Sequence, residues 1–225
     1  MIQLVVFAFV AVVAIGLFVY QAQQEKQRRL DWMTLAPTLG LRYHGEEPLS
    51  DFYPSFKVFS VGRGRRARNL LRGESGRIRV LLGDYQYTTG SGKSSTTHRH
   101  TVCILERDGL DLPRCYMRPQ NLLDAVGKLF GGQDIDFEDD PVFSKAYVLQ
   151  GTNVAGIRRR FDRPSRAWLA SHSSMLLRFE ASGSTIVFLG PQLEPALAPR
   201  FLDDALNFLM LWSEPVAGGR PKLEA

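Results

Sequence analysis

The run MLLRFEASGSTIVFL, residues 175–189, carries two short apolar segments, 175–180 and 185–189, on either side of Ser182-Gly183-Ser184. Aromatic and β-branched residues flanking a Gly/Ser turn read as an antiparallel hairpin. The same signature recurs upstream. Ile78, Val80 and Leu82 alternate with Arg77, Arg79 and Leu81, a second run covers residues 97–106 after a Gly/Ser-rich turn, and a third covers 112–117 after Asp108-Gly109. Three strands joined by short turns predict an antiparallel meander. Leu70-Leu71-Arg72 through Gly83 resembles Leu176-Leu177-Arg178 through Gly190. Over so short and gapped a match, two hairpins look alike whatever their history.

Helical stripes interrupt the strands. Trp32, Leu35, Ala36 and Leu39 repeat at i, i+3, i+4 and i+7 and are closed by Gly40, while Pro37 predicts a kink or a division into two short helices. Pro119 opens a predicted helix with Leu122, Val126, Leu129 and Phe130 on its apolar face, ended by Gly131-Gly132. Val148-Leu149-Gln150 reads as a strand, and Asn153 caps a short helix through Val154, Ile157 and Phe161. Pro164 restarts the chain towards Trp168-Leu169. A last stripe follows at Phe201, Ala205, Phe208, Leu209 and Trp212. Residues 213–225 hold proline, two consecutive glycines and few apolar side chains, the composition of a disordered tail. The predicted fold class is α+β: antiparallel hairpins and packed helices in one soluble domain, residues 30–212.

Residues 2–20, IQLVVFAFVAVVAIGLFVY, contain no charge, and Gln3 is the one strongly polar side chain. As a helix they reach about 28 Å, the hydrocarbon thickness of a bilayer. A helix satisfies its backbone internally, as hydrocarbon requires. A cleaved secretory signal fits less well, because there is no basic n-region and Phe18, Val19 and Tyr20 stand where small residues are wanted. Residues 21–29 are strong helix formers and extend the span as a polar stalk. Lys26, Arg28 and Arg29 against Glu25 place the following domain in the cytoplasm by the positive-inside rule. The expected topology is therefore a single-pass inner-membrane protein, with the lipid bilayer as partner of residues 2–20.

Two cysteines, Cys103 and Cys115, fit a reducing compartment, and the Asp108–Leu110 turn would set them opposite each other in a hairpin. They read better as small buried hydrophobes than as a disulfide. Gly90-Ser91-Gly92-Lys93-Ser94 suggests a phosphate loop, but Tyr87 occupies the position of the first glycine and no helix follows. His98 and His100 lie two apart on one strand face without a third ligand at local spacing; His44 and His172 are remote. Five carboxylates between Asp134 and Asp140 lack the glycine and terminal glutamate of a calcium loop. No G-x-S-x-G elbow occurs. No cofactor or metal is expected.

The formal net charge is +5. Arg63, Arg65, Arg66 and Arg68 head one basic cluster, and Arg158, Arg159, Arg160, Arg163 and Arg166 form a second. Nucleic-acid modules would add stacking aromatics or a recognition helix among these arginines, and neither is placed there. Anionic lipid headgroups ask only for charge near a membrane. Two functional readings follow. The first is a non-enzymatic, membrane-tethered domain using Arg63, Arg65, Arg66 and Arg68 for lipid or protein contacts. The second is a membrane-bound enzyme or small-ligand binder with a pocket at Asp84, Tyr85, Tyr87 and Asp140.

Residues 62–102, with Asn69-Leu70-Leu71-Arg72-Gly73, Gly83-Asp84-Tyr85-Gln86-Tyr87 and Thr88-Thr89-Gly90-Ser91-Gly92-Lys93, resemble an uncharacterised family of bacterial membrane-anchored proteins. Residues 136–144 and Tyr147-Val148-Leu149-Gln150-Gly151 look like its second block. The resemblance implies a bacterial source and a shared fold, and no catalytic residues.

Overall fold

The computed structural model describes residues 2–121, 126–130, 134–172 and 178–213. A long helix α1 (Ile2–Thr38) leads into strands β1 (Arg42–Glu47), β2 (Arg63–Ser75), β3 (Ile78–Thr89), β4 (Thr96–Arg107) and β5 (Leu112–Pro119), with a one-turn helix α2 (Leu49–Phe52) after β1. There follow α3 (Gly127–Phe130), α4 (Pro141–Ala146), β6 (Tyr147–Gly151), α5 (Val154–Arg160), α6 (Arg163–Ser171), β7 (Arg178–Gly183), β8 (Thr185–Pro191) and α7 (Ala198–Leu211). Among the described residues the strands form one 8-stranded sheet in the order β1-β2-β3-β4-β8-β7-β5-β6, with every neighbouring pair antiparallel. Mixed helix and antiparallel sheet is the α+β class expected.

The predicted meander holds for β3–β4 and fails at β5; β2, which was not one of its three strands, pairs with the other edge of β3. The β7–β8 hairpin inserts between β4 and β5, and the Asp108-Gly109 link runs around its tip. Arg107 N–H donates to the Ser184 carbonyl at 2.9 Å, and Leu112 pairs with Gly183. Cys103 therefore pairs with Phe188 and Cys115 with Ala181; both are free, buried thiols. Burial pushes the Cys115 thiol up to about 12. The hairpin equivalent to β7–β8 about the sheet centre is β3–β4, not β2–β3, so the sheet does not superpose the two similar stretches.

Both faces of the sheet are covered, which is why its central strands are apolar at successive positions rather than at alternate ones. On one face Leu71, Leu82, Cys103, Phe179 and Phe188 meet Trp32 and Ala36 of α1 and Phe201, Phe208 and Trp212 of the α7 segment. On the other, Leu70, Leu81, Tyr85, Tyr87, Val102 and Ile104 meet Leu49, Phe56, Val58 and Phe59 of a strap between β1 and β2. The predicted cap is found, with Asn153 accepting the Gly156 N–H at the head of α5; Asp162 and Asp140, not read as caps, do the same for α6 and α4. Pro37 sits in the last turn of α1 and ends it without dividing it. Pro119 closes β5, paired with Tyr147, where a helix start was predicted. Leu122 lies outside the described residues. So do residues 175–177 and, apart from Ser213, the predicted tail.

The strap is fastened by Glu180, which is fully buried and accepts the Val58 N–H at 3.0 Å, with Arg114 at 3.4 Å. Burial raises its pKa, and the Val58 and Lys57 amides and Arg114 pull the other way. A carboxyl raised in the folded state binds its proton more tightly than the unfolded chain does. Stability from this group is therefore full at low pH and falls as pH rises from the ordinary glutamate value through the folded one. Glu180→Gln is expected to flatten that fall. Urea midpoints of the two proteins from about pH 4 to about pH 7 should diverge; parallel curves would show that Glu180 does not titrate there.

Candidate functional site

Every described side chain of α1 from Ala11 to Gln27, together with Phe7 and Phe9, is exposed. Ile15 is 63% exposed and Phe18 72%. Arg28 is the first residue to turn into the domain. Its Nε and Nη2 donate to the two Asp84 carboxylate oxygens at 2.8 and 2.6 Å, and Nη2 also donates to the Leu193 carbonyl at 2.7 Å. Burial works against the Arg28 charge, but the Asp84 contact more than offsets it and raises the pKa. Asn69 adds a third hydrogen bond to Asp84, at 2.8 Å. Asn69 sits at a bulge of β2 with φ 53°, an αL conformation that Asn tolerates better than most residues. The bulge needs Gly83 opposite, where a Cβ would come within 2.9 Å of the Asn69 carbonyl oxygen.

Asp84 is thus the mount for α1 and not the wall of an open pocket. Tyr85 and Tyr87 are 2% exposed and pack into the opposite face of the sheet. Asp140 caps α4 beside β6, five strands from β3, or about 24 Å at ordinary strand spacing. The structure does not bring the four together. No local pattern announces a pair separated by 56 residues, such as Arg28 and Asp84.

Trp32 and Ala36 pack with Val80 and Leu82, Arg28 meets Asp84, and Glu25 reaches Arg68 at 3.3 Å. Towards its N-terminus, then, α1 runs to the end of the sheet where β2 and β4 begin and β3 finishes. Eight helical residues from Arg28 to Tyr20 rise about 12 Å, and four strand residues from Asp84 to Thr88 about 13 Å. The apolar run begins at about the height of the β3–β4 turn.

This exit end is basic. Residues 55–71 and 85–101 contain no carboxylate, and they hold Lys57, Arg63, Arg65, Arg66, Arg68, Lys93 and Arg99. Of the four predicted contact arginines, Arg68 faces Glu25 and Glu46. Arg63 donates to the Gly90 carbonyl and to Ser95 Oγ, and Arg65 to the Ser60 carbonyl, so both brace loops with their charge left unneutralised. Arg66 has no carboxylate partner among the described residues. The opposite end of the sheet is mixed: Glu74, Glu106, Asp108 and Asp111 stand there among Arg42, Arg72, Arg77, Arg79 and Arg107.

At that far end, on the strap side, lies a groove of about 780 Å³. Its lining includes Arg42, Tyr53, Arg72, Arg79, Leu81 and Ile104. Arg72 is paired with Glu47, and Arg79 with Glu106 at 2.9 Å. Burial, followed by the Glu106 hydrogen bond, raises the Tyr53 pKa.

The remaining sequence features are used structurally. Arg166, 5% exposed, binds Asp139 at 2.7 Å and Asp140 at 3.0 Å over the Phe137 ring, so the second arginine cluster holds the acidic stretch. Burial opposes the lowering of the Asp139 pKa, which the Arg166 hydrogen bond dominates. His98 and His100 share a face as expected and stack on Tyr87 at 4.9 and 5.6 Å. Gly92–Ser94 is a single exposed turn leading into β4, not into a helix. Ser171, His172 and Asp204 form a chain of contacts, but Ser171 Oγ and His172 Nδ1 both lie 2.8 Å from the Trp168 carbonyl, as a helix cap. No group of three or more His, Cys, Asp or Glu among the described residues could hold a metal ion. Nor is any helix among them long and apolar enough to cross a membrane. The side chains of residues 2–6, 8 and 10 lie outside that description.

No family model matches the chain, and no curated protein matches it. Among solved structures it is similar to the mycobacterial trehalose monomycolate transport factor A, TtfA, at 15% identity and a TM-score of 0.57, over 85% of this chain and 98% of that one. Such a likeness shows a shared fold.

Proposed function

We propose that this chain is a membrane-tethered contact platform: residues 2–20 cross the bacterial inner membrane, and the α+β domain is held in the cytoplasm for protein or lipid contacts. The observation that carries the reading is the apolar part of α1, whose described side chains at 7, 9 and 11–20 are all exposed, continuous with the turn that Arg28 fixes to the sheet. A helix apolar all round is stable in lipid or inside a larger assembly, not in water. The transport factor of similar fold lends its architecture to this reading and not its cargo, given the 15% identity.

A reporter fused after Ala225 is expected to report cytoplasm, and the chain to stay in the membrane fraction at alkaline pH. A periplasmic signal, or a mature N-terminus near Gln21, would overturn the topology. The groove supports a second reading, a membrane-bound small-ligand binder or enzyme, because its volume lies within the usual range of ligand sites. Its position at the far end of the sheet would turn such a site away from the bilayer.

A further inference from the structure

The exit end contains a more specific arrangement than a basic surface. Arg66 pairs with Gln86 across β2–β3, and Gln86 with Arg99 across β3–β4, so the three form one row. Strands alternate their side chains, which puts this row on the same face as Asp84, one step closer to the exit than the Arg28 mount. Arg66 and Arg99 are both exposed, and among the described residues neither has a carboxylate partner. Gln192 lines the same notch, about 20 Å³, with Arg68 and the Asp84 carboxylate that Arg28 and Asn69 already hold. Two guanidinium groups and two amides able to donate therefore face this notch on the exit side of the Arg28 mount.

Resting on the tethered reading, we propose that Arg66, Gln86, Arg99 and Gln192 form a headgroup site for the phosphate of an anionic phospholipid, which holds the domain against the leaflet. Guanidinium forks match phosphate oxygens, and the amides supply further donors. Charge complementarity and continuity with the apolar helix both select lipid as the source of the phosphate. The span brings the notch to headgroup height, and Arg63 and Lys93 at the β3–β4 turn add positive charge to the same end of the sheet.

The test uses the full chain in phosphatidylcholine nanodiscs, with and without phosphatidylglycerol. A fluorophore at Ser91→Cys reports the β3–β4 turn, since Ser91 is exposed and its side chain makes no cap bond, while the two native thiols are buried. A headgroup nitroxide is the quencher. Quenching is expected to be stronger with phosphatidylglycerol than in neutral discs, the excess fading as salt rises, and Arg66→Gln/Arg99→Gln should weaken that excess by about fivefold or more without moving the unfolding midpoint. Equal quenching in neutral discs, an excess that survives the double substitution, or full displacement by inorganic phosphate at matched ionic strength would overturn the headgroup site. Failure of the chain to enter even neutral discs would instead overturn the tether itself.

Discussion

Val12→Arg/Ile15→Arg is expected to move the full chain from the membrane fraction to the soluble or aggregated one. The two positions lie three apart on α1, so they share a face, and they are 67% and 63% exposed. Each arginine near the centre of a span costs about 2.5–3.5 kcal/mol of insertion, whereas each apolar side chain it replaces contributes only about 0.3–0.6. Two substitutions therefore remove about 6–8 kcal/mol, more than the remaining apolar positions can offset. Neither residue touches the domain, so the urea midpoint should not move. Val12→Leu/Ile15→Leu serves as the control and should be retained like the unaltered chain. Retention of the arginine variant at alkaline pH would mean that something other than this helix holds the protein.

What the sequence displayed clearly was local. The i, i+3, i+4 stripe at Trp32 and Ala36, the cap at Asn153 and the Ser182-Gly183-Ser184 turn each act within a few residues, and each is found where it was read. The β4–β5 link failed for a non-local reason. Asp108-Gly109 has the chemistry of a hairpin turn, but the hairpin slot beside β4 is filled by β8, from eighty residues downstream. The site residues were harder. Asp84 stood out as a carboxylate among tyrosines, yet its role is set by an arginine on α1 that had been read only as a topology charge. The arginine cluster was visible by composition, but which members keep an unneutralised charge depends on Glu25, Glu46, Ser60 and Ser95, none adjacent in sequence.

The charge layout and the mount belong together. A basic exit end can face an anionic surface only if α1 cannot swivel on the sheet. A single salt bridge in water would not prevent that, being worth about 1 kcal/mol or less. Arg28 and Asp84 differ from such a pair in burial, with side chains 18% and 11% exposed, and in the three additional contacts through Leu193, Asn69 and, behind Asn69, Tyr43.

Asp84→Ala should therefore have the largest effect of any single polar substitution in the domain. It leaves the Arg28 guanidinium buried with one carbonyl acceptor, and it leaves the Asn69 amide unpaired; breaking a buried pair on one side costs about 3–5 kcal/mol. With Arg28 released, α1 should lift from the sheet as far as Trp32, which is fully buried beneath it. Two readouts follow for the full chain in nanodiscs: a lower urea midpoint, and faster tryptic cleavage after Arg28, whose side chain is held by Asp84 and Leu193 in the unaltered protein. Arg28→Lys keeps the charge and loses the two-point grip, so it should fall between the unaltered chain and Asp84→Ala. Arg28→Met/Asp84→Leu removes both charges and should recover much of the midpoint, because the cost lies in the unpaired charge rather than in the absence of the pair. A loss below about 1 kcal/mol for Asp84→Ala, with cleavage unchanged, would show that apolar packing at Trp32 and Ala36 alone mounts the helix, and the domain would then be free to turn about its tether.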